Sequence, residues 1–558
     1  MPKILTPVSL WNNFDCSLPV NANKLFESIY SGVKFERVTF EGRETRSGRV
    51  KIAAAFASDA VNPSTETVLI LPDSSDTIDV EILKFFVKRG YSALMVDYRG
   101  EWENCDFYTQ YPDDVAYANA AKCGRFKDYV DDSADKTSWY EWVAVGLYAR
   151  KYLEERIKND KIAVTGIRDG GEIAWKLGVA GQFKCIIPVC AAGWISYRGI
   201  SKYVSEETTL DEERYRFIAG IDSQAYAPYV KCPVLMLCST NDPDFDYDRA
   251  YDTFSRINPE FISGSAISYS MKSNASISAS GTADMFLMLD KTLKNRQVFI
   301  PKSAEITVEV DSEQNLIVRS VSDNQGTVED CQMYLAEDCI DSSLREWSVC
   351  PEKKRISLNE REFYLNIYEK TTTIFVLCSV RYANGFVSWS KIVVKKISGK
   401  FKNMQPKCRV MYSDKYGTDG FSVADFKRYS AGGIFLYDET ALPQLVVKAK
   451  GVKGLYSECG LASNRFTNPR FSPIGGNVLS IDLFCDTTSV FTLTVKDLAS
   501  GENYVATVPV TGGVWQSTVL ESKLFKNAGG VPLNDFTGDL NFELDCPVKY
   551  AVNNIMWL

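Results

Sequence analysis

The 558-residue sequence contains no histidine. Because an imidazole normally takes the proton from a serine or cysteine nucleophile, this absence excludes an ordinary Ser-His-Asp mechanism. It also removes a common zinc ligand, and the fifteen cysteines form no CxxC pairs. We therefore expect no metal site, and no motif in the sequence indicates a cofactor.

Other absences restrict location and partners. The first residues, MPKILTPVSLWNNFD, lack a basic region leading into an apolar stretch, so no secretory signal is expected. No apolar run reaches the length of a membrane span. A net charge of −8 argues against sequence-independent nucleic-acid binding. Many cysteines lie in apolar, strand-like runs, which favours free thiols and a cytoplasmic location. Homo-oligomer formation stays open.

The length predicts several domains, and residues 1–299 show one pattern throughout. Strand-like runs alternate with helix-like runs, which predicts an α/β domain built on a doubly wound, mostly parallel sheet. The expected strands are Thr67–Leu71, Tyr91–Val96, Lys161–Thr165, Cys185–Val189, Pro233–Leu237 and Ala266–Ser270. The expected helices include 139–158 and 172–180, and another that ends at Arg89 and Gly90.

After about residue 300 the pattern changes to short alternating strands with little helical periodicity. Residues 300–399, with runs such as Ala304–Val310, predict an immunoglobulin-like β-sandwich. Residues 400–558, with runs such as Val478–Phe484, predict a jelly-roll β-sandwich. The sequence therefore predicts a multidomain chain with one α/β domain and two β-sandwiches.

The most informative segment runs from Lys161 to Trp175. A predicted strand enters a sharp turn that carries Gly166 and Gly170, and a predicted helix follows directly. This pattern is typical of a nucleophile elbow, in which the central residue of G-x-S-x-G stands on a strained turn. The central residue here is Arg168.

Over about residues 40–298 the chain resembles the α/β-hydrolase superfamily, most closely its dienelactone-hydrolase and acetyl-xylan-esterase-like branch. The resemblance is carried by the elbow and by the runs Leu94–Gly100 and Val234–Asp242. It implies that Arg168 occupies the nucleophile position and Asp242 the acid position. Asn274 or Ala275 would then occupy the histidine position. Arginine is not a nucleophile at ordinary pH, so the triad is degenerate.

The predicted oxyanion loop also departs from this family. Active members often carry a His-Gly-Gly run here, whereas this chain has Pro72-Asp73-Ser74-Ser75-Asp76. A carboxylate at Asp73 would oppose a developing negative charge on the substrate oxygen. Conventional serine-hydrolase catalysis is therefore excluded.

Two side chains at the elbow have alternative roles. Asp169 either acts as an aspartate nucleophile in another covalent mechanism or, as we favour, caps the helix that starts at Gly170. Arg168 either pairs with Asp242 or forms an anion pocket with the helix N-terminus. The candidate ligand-binding residues are Arg168, Asp169, Gly170, Asp73, Ser74, Tyr98 and Trp102.

Two further features have alternative interpretations. The acidic segment Asn241–Asp248 could bind a hard cation, but it lacks the glycine and distal glutamate of an EF-hand loop. We therefore favour a solvated loop and helix start. Residues 512–515 and 553–558 resemble those of a galactose-binding-like or carbohydrate-binding module. There Trp515 and Trp557 could be either core residues or stacking platforms.

Three functions are compatible with these residues. The favoured one is a non-catalytic binding or scaffolding pseudo-hydrolase with a small anionic or carbohydrate ligand. The alternative is an active hydrolase of carbohydrate esters that uses Asp169 or Asp242 in a non-standard mechanism. The third is a purely structural role.

Overall fold

The computed structural model describes residues 3–204, 210–272, 276–425, 441–474 and 478–558. In these residues the strands form one large mixed sheet followed by two pairs of antiparallel sheets. The predicted combination of an α/β unit with β-sandwiches is confirmed. The boundaries at residues 299 and 399 stay predictions.

The large sheet has nine strands in the order β1-β2-β3-β5-β4-β6-β7-β8-β9. The first three form antiparallel hairpins, β3 pairs antiparallel with β5, and the strands from β5 to β9 are mutually parallel. The strands are β1 Asn23–Tyr30, β2 Val33–Thr45, β3 Gly48–Asp59, β4 Thr67–Leu71, β5 Ser92–Asp97, β6 Ile162–Ile167, β7 Ile186–Val189, β8 Leu235–Ser239 and β9 Ala266–Ser270.

Helices cover both faces of this sheet, which explains why its parallel strands are apolar throughout. The helices are α1 Pro7–Trp11, α2 Val80–Val87, α3 Arg125–Asp128, α4 Ser138–Ile157, α5 Asp169–Ala180, α6 Glu212–Gly220, α7 Ser223–Tyr226, α8 Ala250–Phe254, α9 Pro259–Ile262 and α10 Ala279–Leu293. Helices α4 and α5 belong to one hydrophobic core, and α2 and α10 belong to the other. The predicted parallel strands are present, whereas the sequence interpretation did not identify the strands β1, β2 and β3 or the helix α10.

A second unit consists of two sheets that enclose a common core. One sheet has the order β10-β11-β15-β14, and the other has β13-β12-β16-β17 with β18 paired to β16. The strands are β10 Glu305–Val310, β11 Leu316–Val321, β12 Val328–Glu337, β13 Ser348–Val349, β14 Glu352–Arg355, β15 Glu360–Tyr364, β16 Thr373–Tyr382, β17 Val387–Trp389 and β18 Val393–Lys396. This arrangement is consistent with the predicted sandwich.

A third unit is built in the same way around a separate core. Its sheets have the orders β21-β22-β29-β24-β27, with β19 paired to β29, and β20-β23-β28-β25-β26. The strands are β19 Val410–Tyr412, β20 Ser422–Val423, β21 Gln444–Val447, β22 Lys453–Tyr456, β23 Leu461–Ser463, β24 Val478–Cys485, β25 Ser489–Asp497, β26 Asn503–Val510, β27 Gln516–Glu521, β28 Leu540–Asp545 and β29 Tyr550–Trp557. Trp557 is a core residue, and its indole donates to the carbonyl of Phe471.

The described residues include all fifteen cysteines and contain no disulfide, and most of these cysteines are buried. Among the helices described above, none combines the length and the apolar character needed to cross a bilayer.

Candidate active site

The turn between β6 and α5 has the geometry of a nucleophile elbow. Arg168 stands alone between the strand and the helix, with φ 53° and ψ −112°. A side chain other than glycine is strained in this region, and such strain is characteristic of functional turns. A Cβ atom on Gly166 would lie 2.0 Å from the carbonyl oxygen of Gly170, so the turn requires glycine there.

Gly170 allows close packing between the helix and a neighbouring strand. A Cβ atom on this residue would lie 2.3 Å from the carbonyl oxygen of Leu71 and 2.4 Å from that of Pro72. Backbone carbonyls therefore fill the space beside Gly170, the position predicted to contact a ligand. With the strand order and the covering helices, this elbow identifies the fold. The N-terminal unit has the α/β-hydrolase fold, with β1 as an additional edge strand.

Three carboxylates surround the Arg168 guanidinium. Its Nη1 lies 3.7 Å from Oδ2 of Asp242, and its Nε lies 3.9 Å from Oδ2 of Asp73. Its Nη2 contacts the carboxylate of Asp244. The ring of Phe245 lies beside the guanidinium, 5.2 Å from its central carbon. The cation at the apex is therefore already paired with acidic groups of the protein.

Asp242 is buried almost completely, with a side-chain exposure of 1%. One of its oxygens accepts hydrogen bonds from the backbone N–H groups of Asp244 and Phe245, at 2.9 and 3.2 Å. Within the described part of the chain, its other oxygen has no hydrogen-bond partner. Burial raises the pKa of Asp242 to about 6, although the nearby charge of Arg168 lowers it. The acid position therefore depends on Arg168 for charge compensation.

The oxyanion position is occupied by a carboxylate. In this fold the backbone N–H after the nucleophile is one of the groups that bind the oxyanion. Here the N–H of Asp169 donates to Oδ1 of Asp73 at 3.3 Å. The hydroxyl of Ser75 donates to the other oxygen of Asp73 at 2.7 Å. An incoming substrate oxygen would have to displace this negatively charged group.

Asp169 is the centre of a second charged cluster. Its Oδ2 accepts from the hydroxyl of Ser74 at 2.5 Å and from Nζ of Lys127 at 2.6 Å. Arg198 lies 3.5 Å from Oδ1. Burial raises the pKa of Asp169, but Lys127, Ser74 and Arg198 outweigh that effect, and the net pKa is lowered. Asp169 is therefore held as a carboxylate.

The predicted capping role of Asp169 is wrong. Helix α5 begins at Asp169 itself, and the preceding residue, Arg168, makes no side-chain capping hydrogen bond. The Asp169 carboxylate instead faces Ser74 and Lys127, since these groups lie beside the first turn of the helix.

The acidic segment 241–248 is not the solvated loop that we expected. Asp242 and Asp248 are both buried. Asp246 accepts a hydrogen bond from the Ser342 hydroxyl at 3.2 Å, and Asp248 forms a two-pronged pair with Arg345. These carboxylates are therefore engaged in contacts with other groups of the protein. The expected helix start is present as α8. Within the described ranges no group of three or more histidine, cysteine, aspartate or glutamate side chains is arranged to hold a metal.

Arg345 comes from the second unit, and no motif in the sequence distinguishes it from other arginines. Its guanidinium donates to both oxygens of Asp248 at 2.8 Å and to the hydroxyl of Tyr247 at 2.6 Å. Its central carbon lies 3.7 Å from the centroid of Phe375. Nearby, the side-chain amide of Asn241 donates to the carbonyls of Ser343 and Arg345. The loop that carries the acid position thus contacts the β-sandwich directly.

Asn274 and Ala275, the candidates for the histidine position, lie outside the described residues. Lys272, at the start of that loop, pairs with Asp419 of the third unit, with Nζ 2.9 Å from Oδ1. Asn241 and Lys272 therefore both contact the β-rich units.

Two other predicted ligand contacts do not join Arg168. Tyr98 is 1% exposed, and its hydroxyl donates to the carbonyl of Pro72 at 2.7 Å, so it packs inside the core. Trp102 lies under the guanidinium of Arg99, 3.4 Å from its central carbon. Trp102 also lines a separate cavity of about 590 Å³ beside Phe26 and Phe107. Of the predicted set, the structure brings together Arg168, Asp169, Gly170, Asp73, Ser74 and Asp242.

Comparisons with known proteins returned similarities among solved structures only. No protein-family model and no curated protein matches the chain. An acetyl xylan esterase from Paenibacillus sp. R4 is 15% identical, with 51% of this chain and 92% of that chain covered and a TM-score of 0.38. Acetyl xylan esterase 1 from Thermoanaerobacterium sp. JW/SL YS485 is 14% identical, with 51% and 90% covered and a TM-score of 0.37. A structure described as a dienelactone hydrolase, from Klebsiella pneumoniae subsp. pneumoniae MGH 78578, is 12% identical, with 48% and 100% covered and a TM-score of 0.32.

Proposed function

We propose that this protein is a non-catalytic member of the α/β-hydrolase fold that works as a scaffold and ligand-binding protein. The observation that carries this proposal is the state of the elbow. Arg168 stands at the nucleophile position, and the carboxylates of Asp73, Asp242 and Asp244 surround it. An arginine cannot attack an ester, and no histidine exists in the chain to act as a base.

The oxyanion position supports the same proposal. Stabilisation of the developing oxyanion is usually a large part of catalysis, and loss of one donor reduces kcat by about 10²–10³-fold. Here the N–H of Asp169 is engaged by Asp73, and a negative group faces the place where negative charge would develop. The nucleophile, the base and the oxyanion donor are thus all compromised.

Contacts of the two remaining triad loops support a scaffolding role. The acid loop is tied to the second unit through Asn241 and Asp248, and the loop after β9 is tied to the third unit through Lys272. In an active hydrolase these loops line the substrate site. Here they hold the β-rich units against the carboxyl edge of the sheet.

Charge balance favours a neutral ligand over an anion at this site. An anion bound at Arg168 would have to compete with three carboxylates, and like charges at such distances repel strongly. The site therefore favours a carbohydrate over a small anion.

The proposal is tested by ester hydrolysis with the full chain. We expect p-nitrophenyl acetate and p-nitrophenyl butyrate to be cleaved no faster than with an equal amount of heat-denatured protein. Arg168→Ser should not create activity, since the serine would still lack a base and an open oxyanion site. Saturable wild-type turnover would contradict the proposal.

A second candidate function rests on Ser74. Its hydroxyl donates to Asp169 and lies 3.0 Å from the ammonium of Lys127, and the residue is only half-buried. Ser74 Oγ could attack an ester carbonyl while its proton passes to Asp169 and Lys127 stabilises the oxyanion. The lowered pKa of Asp169 opposes this mechanism, because a general base works best with a pKa near the working pH.

The two functions differ in their response to substitution at Ser74. If the second candidate holds, the turnover should disappear in Ser74→Ala and in Asp169→Asn and persist in the matched control Ser75→Ala. Under the favoured function, all four proteins behave alike. Thermal-shift measurements of the same proteins, with sugars and with inorganic phosphate, then show which class of ligand binds.

A further inference from the structure

A cavity of about 370 Å³ lies where the three units meet. It is lined by the end of β9 and nearby residues within 271–272 and 276–280, by one face of the second unit, and by the segment around Phe421 in the third unit. This volume falls in the range of about 300–1,000 Å³ that is typical of small-molecule sites, and junctions between domains are common places for them.

One wall of the cavity is the outward face of strand β12. Asp330, Gln332 and Tyr334 line the cavity, whereas Cys331 and Met333, which alternate with them, point into the core of the sandwich. A strand normally places polar groups on its solvent side. Here that side is turned toward the other two units, so a polar and aromatic surface faces the space between them.

Aromatic rings form the inner part of this wall. Tyr334 stacks on Trp389 with ring centroids 6.0 Å apart and planes 20° apart. Tyr269 of β9 meets Trp389 edge-on, with centroids 5.7 Å apart. Both Trp389 and Tyr269 are buried, and neither the indole Nε1 nor the Tyr269 hydroxyl has a hydrogen-bond partner among the described residues. Such unpaired groups are uncommon in native proteins.

Each of the two cations that line the cavity, Lys272 and Arg381, has an acidic neighbour. Lys272 is paired with Asp419, and Asp330 lies directly opposite Arg381 in the register of β12 and β16. Gln332 donates to Asp330 at 3.1 Å and accepts from the Tyr334 hydroxyl at 2.7 Å. The cavity therefore offers planar polar groups without an unpaired positive charge. A phosphate or carboxylate ligand is not favoured there, because no free cation is present among the described lining residues to bind it.

We propose that this junction cavity binds a neutral sugar of one or two rings. A pyranose has apolar C–H faces that pack on an aromatic ring such as that of the half-buried Tyr334, which is itself stacked on Trp389. Its hydroxyls both donate and accept, which matches the carboxylate of Asp330, the amide of Gln332 and the guanidinium of Arg381. The site lies outside the elbow, and the proposal holds whether or not the elbow is catalytic.

The test is binding of a defined panel to the full chain. The probes are maltose, cellobiose, xylobiose and lactose, with glucuronic acid and inorganic phosphate as charged controls. Saturation-transfer NMR and tryptophan fluorescence titration should show saturable binding of at least one disaccharide and weaker binding of both charged probes. Gln332→Ala and Trp389→Phe should each weaken this binding at least tenfold.

Two conservative test variants and one control variant keep the outcome decisive. Gln332 is exposed, so Gln332→Ala should fold normally, and Trp389→Phe keeps an aromatic ring in the core. Trp102→Ala removes a tryptophan that lines the separate cavity and should leave sugar binding unchanged. The proposal is overturned if none of the four disaccharides binds saturably, if phosphate or glucuronic acid binds more tightly, or if both cavity variants bind like the wild type. Because no ester is involved, this result is independent of the ester assay.

Discussion

At the scale of single residues, the apex of the elbow carries an ion-paired arginine instead of a reactive side chain. An active hydrolase needs a side chain at the apex that can attack a carbonyl, and Arg168 instead compensates the buried carboxylate of Asp242. Removal of one partner from a buried pair is costly because the other is left uncompensated. Arg168 is 18% exposed, so solvent reduces that cost.

Arg168→Met should destabilise the protein more at pH 8 than at pH 5. The folded-state pKa of Asp242 is already raised to about 6 from an unfolded value near 3.8, so this group reduces stability as the pH rises through that window. Without Arg168 the pKa rises further, and the window extends to higher pH. At pH 8 we expect a loss of about 1–3 kcal/mol, with a smaller loss at pH 5.

The measurement is the Tm of wild type and variant at both pH values. Arg296→Met serves as the control, since it removes an exposed pair with Asp290 and should change Tm little at either pH. A loss that is equal at the two pH values, or greater at pH 5, would refute the compensating role of Arg168.

At the scale of elements, the elbow persists because backbone packing requires it. The first turn of α5 passes so close to β4 and β6 that only glycine fits at Gly166 and Gly170. This packing holds the sheet and the helix together independently of catalysis. Loss of the reactive side chains is therefore compatible with retention of the whole strand-turn-helix geometry.

Gly170→Ala should cost about 3 kcal/mol or more, since its methyl group would overlap the carbonyls of Leu71 and Pro72. Gly264→Ala is the matched control, because its nearest neighbour, a side-chain carbon of Pro233, would lie 3.6 Å from the new methyl group. Chemical denaturation followed by circular dichroism measures both. Equal stability of the two variants would contradict the packing requirement.

At the scale of the whole molecule, buried ion pairs join neighbouring units of the chain. Arg345 reaches from the second unit to Asp248, with both side chains at most 1% exposed. Arg465 of the third unit lies 3.3 Å from Glu346 of the same loop. One loop of the second unit therefore contacts both of its neighbours.

Arg345→Met should lower stability by about 3–5 kcal/mol, because Asp248 would be left buried without its partner. It should also increase proteolysis within the loop of residues 338–347. Arg319→Met, which removes an exposed pair with Glu360 in the same unit, should cost at most about 1 kcal/mol. Limited proteolysis and thermal unfolding of the two variants test this. Similar behaviour of both would show that the junction is not held by Arg345.

The sequence alone determined the chemical exclusions at this site. Three features exclude the usual chemistry: the chain lacks histidine, Arg168 lies between the elbow glycines, and Asp73 lies in the oxyanion loop. Each of them depends only on residue type and local sequence pattern, so each is evident from the sequence. The alternation of strands and helices also predicted the α/β unit, since hydrophobic periodicity reflects local burial.

Only the tertiary structure decided what these residues contact. Strands β4, β6 and β8 end at one edge of the sheet, which brings Asp73, Arg168 and Asp242 together from distant parts of the chain. Pairing of Asp248 with Arg345, 97 residues away, has no local pattern. The junction cavity likewise combines side chains from three units. Such contacts depend on how complete surfaces pack, and that packing follows from the fold as a whole.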